Sequence, residues 1–170
     1  MRVVLGVALV GLVACVGCGP EDPEDPVAAI TAMGGRVGVD KNGAAVSVDF
    51  YKVTVTDAGL EHLKGMTKLV NLRFDGQKIT DVGMAHLQGL VNLKWLDLPR
   101  IQITDAGLVH LKGLTKLKSL NLWDTNVTDA GLVHLTGLKN LKELSLHKTK
   151  VTDAGKKKLQ QALPNCKVLH

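Results

Sequence analysis

Residues Ile103–Asn126 read ITDAGLVHLKGLTKLKSLNLWDTN, and the next 24 residues read VTDAGLVHLTGLKNLKELSLHKTK. The Thr-Asp pair that opens the motif keeps its spacing along the chain: Asp57, Asp81, Asp105, Asp129 and Asp153 stand 24 residues apart. A period of this size means one supersecondary unit stacked on copies of itself. Two finer spacings share each unit. Leu117, Leu120 and Leu122 give L-x-x-L-x-L, and the last two point to one face of a short strand. Leu108 and Leu111 have helical spacing. Thr104 suits the helix N-cap, Asp105 suits the positive end of the helix dipole, and Gly113 suits a left-handed residue after the last turn. The strand and helix leucines face each other, and one unit alone buries too little to fold, so neighbours must stack.

The unit resembles the leucine-rich-repeat family, with a Thr-Asp-Ala-Gly-Leu opening similar to that of ribonuclease-inhibitor-like and related bacterial repeats. The resemblance covers residues 44–170. It implies an α/β solenoid, a horseshoe with parallel strands on the concave face and short helices on the convex face. Where the family often places Asn after the last strand leucine, this chain has Gln77, Ile101, Thr125 and Thr149. Thr and Gln can hydrogen-bond the loop there. Ile101 cannot, so its loop must be satisfied otherwise.

Outward from the repeats the chain divides further. Residues 1–14, MRVVLGVALVGLVA, place Arg2 before an apolar run too short to span a bilayer, the pattern of a signal peptide. Leu12-Val13-Ala14-Cys15 resembles the bacterial lipobox, which implies a diacylglycerol on Cys15; Cys18 is the alternative, and an ordinary secretory signal or an uncleaved anchor are the other readings. Residues 15–26 are acidic and proline-rich, a tether that cannot build a core. Residues 27–43 are expected to form an N-terminal cap. A short helix comes first, then a hairpin turning at Lys41-Asn42-Gly43, which covers the first strand edge. Val48 and Phe50 begin the parallel strands. The last unit, with Lys156, Lys157 and Lys158 replacing Leu-Val-His, reads as a C-terminal cap in which Cys166 and Leu169 take the first two leucine positions. This organisation places the protein in the cell envelope, lipid-anchored and facing the extracytoplasmic side.

Composition narrows function. The chain is 45% hydrophobic but only 3% aromatic, with a formal charge of +5. An exported chain does not meet a genome, so nucleic-acid binding is excluded. Surface lysines can attract anionic lipid or wall polymer, or simply solvate the domain. Residues between the strand leucines point onto the concave sheet face. There the sequence places Tyr51, Asn71, Arg73, Trp95, Asp97, Asn121, Trp123, Glu143 and His147, including both tryptophans and the chain's one tyrosine. Aromatics mixed with charged and amide side chains are what a recognition patch contains. Trp95 and Trp123 are expected as diagonal neighbours that one ligand covers. The partner expected there is a protein, with a glycan or wall polymer stacked on the aromatics as the alternative and a plain structural spacer as a third reading. His62, His86, His110 and His134 recur on the helices, too far apart to converge on one metal ion. Glu143, Ser145 and His147 form a linear row, not an oriented catalytic triad. The chain has no phosphate loop and no Cys/His zinc cluster. No enzyme activity, metal or cofactor is expected.

Overall fold

The computed structural model describes residues 25–76 and 78–170. The signal segment, Cys15, Cys18, most of the tether and Gln77 lie outside the described residues. The described chain opens with helix α1 (Pro26–Ala32), which Asp25 caps by accepting the Val27 N–H at 3.0 Å. An antiparallel hairpin follows, β1 (Arg36–Val39) with β2 (Ala45–Asp49), its turn closed by Asp40 accepting from Asn42 and Ala44. Five strands then add in parallel: β3 (Asn71–Arg73), β4 (Trp95–Asp97), β5 (Ser119–Asn121), β6 (Glu143–Ser145) and β7 (Lys167–Leu169). The first three intervening helices, α2 (Asp81–Met84), α3 (Asp105–Leu108) and α4 (Asp129–Leu132), are single turns that tighten into 3-10 turns. The last, α5 (Asp153–Ala162), is regular. The first repeat has only a 3-10 helix, Asp57–Leu63. Among the described residues no helix is long and apolar enough to cross a membrane.

The strands are in register, so Val48, Leu72, Leu96, Leu120, Leu144 and Val168 line up as one buried layer. Phe50, Phe74, Leu98, Leu122 and Leu146 form a second, opened by a stack of the two phenylalanine rings at 5.4 Å. Helix leucines such as Leu108, Leu111, Leu132 and Leu135 close the core from the other side.

The repeats are joined by a ladder that explains the Thr-Asp signature. The Asp105 carboxylate accepts both the Thr128 N–H (2.8 Å) and its hydroxyl (2.7 Å). Asp57 does the same for Thr80, Asp81 for Thr104 and Asp129 for Thr152. Each threonine hydroxyl also accepts an N–H of its own helix, as Thr104 does from Ala106 at 3.3 Å, so the expected N-cap role is fulfilled as well. The hydroxyl and amide of Thr152 hold the Asp129 carboxyl below its ordinary pKa, with His170 adding to the effect. A depressed carboxyl stabilises the fold above its unfolded value of about 3.9, and that contribution is lost as pH falls through the folded value. The motif's glycine makes room for the ladder. A Cβ on Gly131 would lie 2.3 Å from Asp105 Oδ1 and 3.1 Å from Asp105 Cα.

Several expectations need correction. Gly113 is not left-handed; of the equivalent glycines only Gly65 has positive φ (+88°). Elsewhere a 3-10 turn ends the helix, with Leu114 N–H donating to Leu111 O at 3.0 Å, so no left-handed residue is needed there. The left-handed positions instead are Lys52, Gly76, Arg100, Asp124 and Lys148, where the chain turns off the sheet. Leu169 does not take the second leucine position. Val168 pairs with Leu144 and is buried: the extra residue before Cys166, which does fill the core, is offset by one fewer before β7, so the strands keep their 24-residue spacing. Thr125 and Thr149 donate their hydroxyls to Leu122 O and Leu146 O, as expected. Ile101 is buried, and its loop is held by Arg100 N–H to Trp123 O and Gln102 N–H to Ile79 O.

The ladder separates two roles for the aspartates. Asp105→Ala removes two charge-assisted hydrogen bonds and should cost about 2 kcal/mol of stability in chemical denaturation. Asp153 also opens a helix but carries no further threonine on its 96% exposed side chain, so Asp153→Ala should leave the melting curve unchanged. Equal losses would mean that the helix dipole alone explains both residues. Gly131→Ala should destabilise, although Gly→Ala inside a helix ordinarily gains up to about 1 kcal/mol.

Candidate binding surface

Register sorts the concave side chains into three rows. Asn71, Trp95, Ser119 and Glu143 form the first; Asp49, Arg73, Asp97, Asn121 and Ser145 form the second. Tyr51, Asp75, Pro99, Trp123 and His147 continue past the strand ends as the third, held by Gly76 N–H to Pro99 O, Arg100 N–H to Trp123 O and Asp124 N–H to His147 O. The alternation that made these residues candidates therefore holds for all nine: Tyr51, Asn71, Arg73, Trp95, Glu143 and His147 are exposed, and Asp97, Asn121 and Trp123 are half-buried.

The two tryptophans are not diagonal neighbours. Trp95 pairs with Ser119, so Trp123 lies four residues further along the next strand. At about 3.3 Å per residue and 4.8 Å per strand, their Cα atoms are roughly 14 Å apart. Trp95 belongs to the edge where strands begin and Trp123 to the edge where they end.

Cations cover the aromatics of the third row. The Arg73 guanidinium lies 4.5 Å from the Tyr51 ring centre and the Lys52 ammonium 5.3 Å. Arg100 lies 5.4 Å from the Trp123 ring centre and Lys148 5.0 Å. Arg100 also pairs with Asp75. Strand alternation did not reveal Lys52, Arg100 and Lys148, because it stops where the left-handed residue turns the chain. The available signal was a cation at the same repeat position in three repeats. Two of the sequence candidates are partly committed to the scaffold: Asn121 Oδ1 accepts the Trp123 N–H at 3.0 Å, and Trp123 lies under two cations. Asp49 likewise accepts the Tyr51 N–H at 2.8 Å.

Trp95 differs. It is 45% exposed, and among the described residues no cation stacks on its ring. One row away, burial pushes the Asp97 carboxyl above its ordinary pKa; Arg73 opposes this and Asp49 adds to it. A carboxylate held at some cost beside an open aromatic is what a site built for a ligand looks like, though structural networks perturb carboxyls too. The helical face carries His62, His86, His110 and His134 one per repeat. Among the described residues no three His, Cys, Asp or Glu side chains are grouped to hold a metal. Glu143, Ser145 and His147 lie in a line along one strand.

Comparison with known proteins agrees with this architecture. Residues 115–160 match the family model for leucine-rich repeats, in two copies. No curated protein matches. Among solved structures the chain is similar to an internalin (inlF) of Listeria monocytogenes, at 25% identity over 65% of this chain and 30% of that one, with a TM-score of 0.57. It is also similar in fold to a leucine-rich-repeat protein of Leptospira interrogans, at 24% identity over 65% of this chain and 27% of that one, with a TM-score of 0.54. The chain thus spans less than a third of the length of either relative. The 24-residue period, the in-register parallel strands and these matches together show a leucine-rich-repeat fold, with residues 115–160 matching the family's repeats.

Proposed function

We propose that this chain is an exported, lipid-anchored module that binds a protein partner on its concave sheet face. Leucine-rich repeats generally mediate protein–protein interaction and are typically not enzymes. The observation that carries the reading is Trp95, an open aromatic in the first concave row, between Asn71 and Ser119 and one row from Asp97. Tryptophan is the residue type most enriched among binding hot spots, and a rigid sheet presents it without an ordering cost. The cation cover of Tyr51 and Trp123 argues against the glycan alternative, since a sugar ring stacking there would have to displace Arg73 or Arg100. The export and anchoring part rests on Arg2, the apolar run after it and the Leu12-Val13-Ala14-Cys15 sequence.

A photo-crosslinking residue at Ser119 of the membrane-bound chain should capture a protein, and Trp95→Ala should weaken that capture by about 2 kcal/mol, or roughly thirtyfold. The same substitution should change stability by less than about 0.5 kcal/mol, because the side chain is exposed on the sheet face and lies outside the core. A crosslink formed only by a probe at Val133, on the helical face, would move the site to the convex side. For the anchor, Cys15→Ser should release the protein from membranes or block signal removal. Loss of anchoring with Cys18→Ser alone would transfer the lipid to Cys18, and no effect of either would refute lipidation.

A further inference from the structure

Each repeat returns from helix to strand along one flank of the solenoid. The five return segments, 64–70, 88–94, 112–118, 136–142 and 163–166, contain eight lysines and no acidic residue. The strand-to-helix segments of the other flank, 51–57, 75–81, 99–105, 123–129 and 147–153, contain five lysines and arginines against seven aspartates. The solenoid is therefore polarised across its width, one flank uniformly cationic and the other mixed.

Stacking turns those lysines into an array. Lys118 N–H donates to Lys94 O and Lys142 N–H to Lys118 O, each at 2.8 Å, so these three follow one another at the strand spacing of about 4.8 Å. The loops beneath stack in the same way, with the Lys116 ammonium on Asn92 Oδ1 at 2.6 Å and Asn140 Nδ2 on Thr115 O at 2.8 Å. Lys94 is half-buried and the other seven are exposed. Among the described residues none of the eight forms an ion pair. The described chain begins beside this flank: Val27 lines one depression with Ala44, Ala45 and residues 65–68.

We propose that this lysine flank lies on the anionic phospholipid surface of the membrane that holds the N-terminus. An array of ammonium groups without carboxylate partners is attracted to anionic headgroups that come within a Debye length. The lipid fixes the N-terminus at the bilayer, and the cationic surface sets which side of the domain faces it. Residues 21–25 carry four acidic side chains, so the attraction comes from the flank and not from the segment leading to it. The strands then stand upright from the bilayer, and the concave face opens sideways, free for a partner. The inference rests on the proposed N-terminal anchoring for this geometry, and its test separates the two.

The membrane-anchored chain is floated with phosphatidylcholine vesicles, with and without phosphatidylglycerol, and then acetylated, with each lysine read by mass spectrometry. On phosphatidylglycerol, Lys118 and Lys142 should react about tenfold more slowly, while Lys148 and Lys150 on the other flank stay unchanged; high salt should abolish the difference. Equal reactivity of the two flanks on phosphatidylglycerol overturns the proposal. So does protection by soluble polyphosphate with none by the vesicles, which would assign the flank to a polyanionic polymer. Failure to float with phosphatidylcholine alone counts against the anchoring, and the contrast between flanks on phosphatidylglycerol still decides the flank.

Discussion

A carboxylate that accepts both an amide and a hydroxyl from the next repeat holds this solenoid in register. Helices α2, α3 and α4 are single turns, far too short to be stable in isolation. The ladder fixes where each begins: Asp105 grips Thr128, and Thr128 in turn caps the helix that follows it. Threonine, aspartate and glycine are thus one device, with the glycine admitting the carboxylate that a side chain would displace. At the N-terminal end the device is replaced. A Cβ on Gly59 would lie 3.0 Å from Met33 Sδ, so the end of α1 covers the first repeat where an aspartate covers the later ones. Leucine layers supply the burial that drives folding, while the ladder makes each repeat's geometry depend on its neighbour's.

The same stacking creates three surfaces of different character. Side chains between the strand leucines form the concave face, where cations cover the aromatics of one edge and leave Trp95 open at the other. Return loops gather lysines on one flank, and the turns off the sheet gather aspartates on the other. A substitution repeated every 24 residues becomes a row at strand spacing, so a small sequence bias turns into a strongly directional surface. In the proposed arrangement the flank meets the lipid and the concave face meets the partner, and neither obstructs the other.

Much of this was legible in the sequence. The period gave the stack, the L-x-x-L-x-L pattern gave the core layers and the concave set, and Lys41-Asn42-Gly43 gave the hairpin. What failed had physical reasons. Thr and Asp were read as local helix-start residues because their second role joins positions 23 apart, across a repeat boundary that no local pattern shows. Gly113 looked like a helix stop, but the short helices tighten instead of capping. The tryptophan pair was misplaced by two residues, one same-face position, an error that only the strand register exposes. Lys52, Arg100 and Lys148 were missed because they are themselves left-handed, where the period-2 rule no longer says which way a side chain points.

The central claim is that the aspartate–threonine contact couples one repeat to the next. A double-mutant cycle on Asp105→Ala and Thr128→Val, followed by chemical denaturation, measures that coupling directly. Residues that share a hydrogen-bond network show interaction energies of about 0.5–3 kcal/mol, and a coupling of at least about 1 kcal/mol is expected here. Additive effects of the two substitutions, within experimental error, would show that the contact does not join the repeats.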